Sequence, residues 1–70
     1  MQHLYARLPD GTEHDFGPEK AALAASAPSV AEKETMIGSF VIAEMATRVG
    51  AGNVGEVSLK YNIREAGPQL

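Results

Sequence analysis

The chain has 70 residues, a formal charge of −3 and no cysteine. At this length it makes one small domain at most, burying only about 60% of the surface its unfolded form exposes, with no disulfide to compensate; a reducing cytoplasm is the expected compartment. The negative balance, with Arg7, Lys20, Lys33, Arg48, Lys60 and Arg64 scattered among acids, excludes a phosphate-binding face and with it nucleic acid as a partner.

Gln2 to Phe16 reads as a β-hairpin. Pro9-Asp10-Gly11 is turn chemistry: proline presets the first central position, aspartate tolerates the second, and glycine takes a positive φ. A type I turn with a glycine bulge pairs Leu8 with Thr12, Ala6 with His14 and Leu4 with Phe16. One face then collects Leu4, Leu8 and Phe16. The other sets Arg7 opposite Glu13 and Tyr5 opposite Asp15, a favourable cross-strand arrangement that a one-residue slip would lose.

Pro18-Glu19 opens a short alanine-rich helix, Pro18 to about Ala27, with proline at the first helical position and Asp15 or Gly17 as its cap. Leu23 and the alanines supply its thin apolar face. Pro28 stops it, and a bend is expected before the chain re-enters helix.

Ser29 to Gly50 dominates the chain and reads as one long helix with both ends marked. Ser29 and Glu32 have the spacing of a capping box, Arg48 suits the last turn, and Gly50 suits the close. Ile37, Val41, Met45 and Val49 follow one face, widened by Phe40, and Gly38, Ser39, Ala43 and Ala46 put small side chains beside it. Between Met36 and Ala46 the only charge is Glu44. A surface helix needs one apolar stripe roughly 100° wide, so a segment this apolar is expected to be covered on more than one side. The expected oligomer interface is Met36, Phe40, Ile42, Ala43 and Met45.

After a loop from Ala51 to Gly55, Val57, Leu59, Tyr61 and Ile63 alternate with Glu56, Ser58, Lys60, Asn62 and Arg64. That is a half-buried antiparallel strand. The stretch Leu59-Lys60-Tyr61-Asn62-Ile63 followed by Glu65-Ala66-Gly67 is loosely similar to the final strand of small prokaryotic modules called trypsin-co-occurring domains; no function or site is carried over from it. The fold class is α+β: hairpin, short helix, long helix and C-terminal strand (ββααβ), an antiparallel or mixed sheet packed on the long helix. Residues 1–65 form the domain, and 66–70 a flexible tail.

The chemistry-bearing residues point away from catalysis. Gly50, Gly52 and Gly55 match G-x-G-x-x-G by letter, but they leave a helix C-terminus and enter a strand, where the dipole has the wrong sign for phosphate. His3 and His14 point to opposite faces of the hairpin and cannot share a metal within one subunit; without cysteine or an H-E-x-x-H helix, no metal or cofactor is expected. Ser26, Ser29, Ser39 and Ser58 lie in no nucleophile elbow, and Glu32 and Glu34 diverge by about 200° around a helix. Glu44 is the outlier: a carboxylate among apolar neighbours is costly unless paired, and Arg48 stands four residues on.

The reading is a non-enzymatic, self-associating protein-interaction module, an inhibitor or an accessory subunit, contacting partners through a sheet edge or the outer face of the long helix. The alternative is an oligomeric binder of an anionic or nucleotide-like ligand in cavities between subunits, with Arg48, Glu44, Lys60 and Arg7 as its binding residues. A ribbon-helix-helix DNA binder lacks the positive charge. No stretch approaches the ~20 apolar residues that span a bilayer, and the polar N-terminus has no signal-peptide pattern.

Overall fold

A computed structural model describes residues 1–67. Its first two strands, β1 (Gln2–Arg7) and β2 (Glu13–Phe16), form the hairpin, followed by α1 (Gly17–Ala25), α2 (Val30–Val49), a single 3-10 turn at Ala51–Asn53, and β3 (Tyr61–Glu65). The sheet is antiparallel throughout in the order β2-β1-β3. β3 returns beside β1, which becomes the central strand, and the helices cover one face.

The hairpin turn forms as its residues dictate. Gly11 donates to the Leu8 carbonyl at 2.9 Å and Leu8 to the Thr12 carbonyl at 2.8 Å, with Gly11 at φ 93°. Asp10 Oδ1 accepts from the Thr12 amide and hydroxyl at 3.0 and 2.7 Å. The register sets Tyr5 opposite Asp15, Ala6 opposite His14 and Arg7 opposite Glu13. The expected Leu4–Phe16 pair does not form: Leu4 meets Gly17 instead. Phe16 is helical, at φ −83° and ψ −8°, and is the extra residue of a bulge. The chain is already turning into α1 there, and Asp15 Oδ1 holds the turn by accepting from the Gly17 amide at 2.8 Å.

α1 packs through alanine. Ala21 and Ala24 are buried while Leu23, expected on the inner face, is 54% exposed. Two alanines three residues apart let the helix lie directly on β1; a leucine there would hold it off. The chain bends at Pro28 and Ser29, and the Ser29 hydroxyl accepts from the Glu32 amide at 3.1 Å. Among the described residues only this serine half of the capping box forms. α2 ends at Gly50, φ 90°, whose amide reaches the Ala46 carbonyl at 2.8 Å.

The core is small. Leu4, Ala6, Leu8, Ala21, Ala24, Ile37, Val41 and Met45 are its buried members, with Phe16, Met36, Phe40, Val54, Val57, Leu59, Tyr61 and Ile63 packed around them. Among the described residues only Leu4, Ile37 and Val41 are large and fully buried, each stabilising by about 1.5–3 kcal/mol.

The C-terminal strand is shorter than its alternation suggests. Val57, Leu59, Tyr61 and Ile63 do turn inward and Glu56, Ser58, Lys60, Asn62 and Arg64 outward, yet only Tyr61–Glu65 is strand, with the Arg7 amide reaching the Lys60 carbonyl at 2.9 Å. The register, Ala6 opposite Tyr61 and Leu4 opposite Ile63, would next offer Leu8 and Pro9. The Leu8 amide points the other way, to the Thr12 carbonyl of the hairpin, and the next position facing β3 is Pro9, which has no amide to donate. Of the expected tail, Ala66 donates to the Met1 carbonyl at 3.3 Å; residues 68–70 lie outside the described residues.

Candidate functional site

The polar constellation of the molecule forms where the hairpin meets the C-terminal half of α2. His14 is on the inner face of β2 because it pairs with Ala6, and Glu44 and Arg48 stand one turn apart on α2. The Arg48 guanidinium is engaged in three directions: Nε donates to Glu44 Oε2 at 2.9 Å, Nη1 to Asp10 Oδ2 at 3.5 Å, and Nη2 to His14 Nδ1 at 3.2 Å. A guanidinium only donates, so His14 Nδ1 accepts and its proton sits on Nε2, which faces Glu44 Oε1 at 3.6 Å. Asp10, itself in the hairpin turn, is held below the usual carboxylate range, first by the Thr12 amide and hydroxyl and then by the Arg48 charge. The cluster clips the hairpin to the long helix.

An open cleft of about 220 Å³ lies beside it, lined by His14, Phe16, Lys20, Phe40, Glu44 and Thr47, among others. His14 meets Phe16 edge-on at 4.6 Å between ring centres, and Lys20 Nζ stands 5.5 Å from the Phe40 ring centre. Two carboxylates surround Arg48, so the cluster presents no uncompensated cation to an anionic ligand.

The four expected ligand-binding residues thus separate into two pairs. Glu44 and Arg48 come together on the helix side. Arg7 and Lys60 lie on the outer face of the sheet, where they share a shallow groove with Glu13, Tyr61 and Asn62 and Arg7 Nη1 donates to the Gly11 carbonyl at 2.6 Å. The same outer face carries Arg64 stacked 3.7 Å over Tyr5 and bonded to Glu13 at 3.0 Å, and His3 Nδ1 at 2.9 Å from Asp15. Asp15 is also held below the usual carboxylate range, chiefly by His3 and further by the Gly17 amide.

The expected oligomer interface separates as well. Met45 is 7% exposed and packs inside the core, so it is not presented to a partner, and Met36 and Phe40 are half-buried against the same cluster. Ile42 remains 49% exposed and Ala43 is exposed. Val49, expected on the core face, is 44% exposed, and Val30 66%. Of the expected face, Ile37, Val41 and Met45 are buried and Val49 alone departs from it.

His14 and Asp10 were missed as partners of Arg48. The hairpin register already placed His14 inward beside Phe16, a usable signal; the contact of Asp10 with α2 had none, being a matter of tertiary packing. Among the described residues no group of three or more His, Asp or Glu could hold a metal ion, and no helix is long and apolar enough to cross a membrane. No family model matches the chain, and no curated protein or solved structure matches it. The likeness of residues 59–67 to the trypsin-co-occurring domains therefore rests on its letters alone.

Proposed function

We propose that this protein is a non-enzymatic interaction module that associates with itself and serves as an inhibitor or accessory subunit within a larger assembly. One observation carries the reading: the solvent face of α2 exposes Ile42 and Val49 along a stripe without charge, whereas the exposed face of a monomer's surface helix is normally polar and charged. The thin core points the same way. Association adds burial that eight small-to-medium side chains do not supply alone. The open edges of β2 and β3 are a second place for a partner strand. A cytoplasmic setting suits a chain with no cysteine to oxidise.

Sedimentation velocity over a range of protein concentrations tests the reading. The expected result is a concentration-dependent shift from monomer toward dimer or a larger species, abolished by Ile42→Glu. A monomer at the highest soluble concentration overturns it.

A further inference from the structure

Independently of that reading, we infer that the outer face of the sheet carries a binding site for a single phosphate group, built by Arg7 on β1 and Lys60 just before β3. Along the sequence the basic residues are scattered among acids, but the register of β1 with β3 gathers these two. Ala6 pairs with Tyr61, and the Arg7 amide donates to the Lys60 carbonyl at 2.9 Å. Arg7 and Lys60 therefore stand directly opposite each other, both exposed on the outer face. Side chains so placed have Cβ atoms about 4.5–5.5 Å apart, and like charges there repel.

No carboxylate among the described residues relieves that repulsion. Glu13 stands opposite Arg7 on its other side, yet it is bonded at 3.0 Å to Arg64, which reaches it across the Tyr5 ring. Among the described residues no ion pair involves Arg7, Lys60 or Glu56. Arg7 Nη1 donates to the Gly11 carbonyl at 2.6 Å, which anchors the guanidinium beside the hairpin turn and leaves its Nε and Nη2 donors open. The two cations form the shared wall of two shallow grooves of about 250 and 270 Å³. Asn62 lines the first and Ser58 the second, so neutral donors flank the pair on either side.

Charge and shape select the ligand. A phosphate group at neutral pH carries nearly two negative charges and three acceptor oxygens, enough to neutralise both cations and accept from the guanidinium fork and the ammonium together. A carboxylate matches one charge only. Two carboxylates already line the grooves, Glu13 and Glu56, and neither pairs with Arg7 or Lys60. Two cations are too few for a nucleic-acid backbone, which needs a row of them. Exposed ion pairs are worth little in water, so half-saturation in the millimolar range is expected.

The test follows backbone amide resonances of the isotopically labelled protein while inorganic phosphate replaces chloride at constant ionic strength and about pH 8, where phosphate is doubly charged. The expected result is a saturable shift at Arg7 and Lys60, absent at Lys20, an exposed cation on the helix side. Lys60→Gln replaces an exposed side chain that makes no ion pair and so preserves the fold; it should weaken the binding at least several-fold. Glu56→Gln removes a carboxylate from the groove wall and should strengthen it. Shifts that rise without saturating, or that survive Lys60→Gln unchanged, overturn the site. Acetate saturating at the same concentration as phosphate overturns the assignment to a doubly charged ligand. A peptide bearing one phosphoserine separates the two sources of the group: tighter binding than inorganic phosphate supports a phosphate carried by a partner protein, and equal binding supports the free ion.

Discussion

The two faces of α2 are made from similar side chains and have opposite fates. On one, Ile37, Val41 and Met45 are 0, 1 and 7% exposed; on the other, Ile42 and Val49 are 49 and 44% exposed. An isoleucine stands on each face, five residues apart. What separates them is the position of a three-stranded sheet too narrow to cover more than one side. Apolarity at a helix position thus does not by itself record which face the chain's own sheet covers.

The sharpest way to break this comparison is to truncate both isoleucines. Ile37→Ala should destabilise the fold by about 3 kcal/mol through lost burial and a residual cavity, seen as a lowered midpoint in chemical denaturation. Ile42→Ala should leave the dilute protein's stability within about 0.5 kcal/mol and weaken association instead. Equal losses would mean that the faces do not differ.

A smaller effect is expected at the boundary between the faces, where Arg48 joins α2 to Asp10 and His14. Arg48→Gln should cost about 0.2–1 kcal/mol, as a partly exposed ion pair does, and should flatten the salt dependence of stability measured by denaturation in low and high salt. A loss of several kcal/mol would mean that the clip is a core element.

The smallest effect concerns the hairpin that supports the inner face. Asp10 and Asp15 have folded pKa values below the ordinary 3.8. Their contribution is therefore present above that value and lost as pH falls through the folded values. Asp15→Asn, which removes the titrating charge beside His3 while leaving an oxygen to accept from the Gly17 amide, should make stability less steep with pH below about 4 than in the wild type. An unchanged acid profile, followed by circular dichroism, would assign the loss to other groups.

Local chemistry was legible in the residues themselves. Pro9-Asp10-Gly11 specifies its turn and, through it, the pairs Ala6–His14 and Arg7–Glu13; Ser29 and Gly50 mark the ends of α2; the pairing of Glu44 with Arg48 follows from one helical turn. Each depends on groups a few residues apart, whose geometry the backbone sets directly. Elsewhere the outcome depended on what other segments were doing. Phe16 is bulged out because α1 begins there, β3 stops at Tyr61 because β1 runs into Leu8 and Pro9, and Leu23 faces solvent because alanines bring α1 closer to β1.

The amino-acid sequence by itself determined the order and type of the elements, the Ser29 and Gly50 ends of α2, the hairpin register up to Tyr5–Asp15 and the α+β class, because hydrogen bonding and side-chain periodicity within an element are short-range. Only the tertiary structure decided which apolar face of α2 is covered, that His14 and Asp10 join Arg48, and that Arg7 and Lys60 stand on the far side of the sheet. Those outcomes follow from how far the sheet extends and where the loops return, which no local pattern encodes.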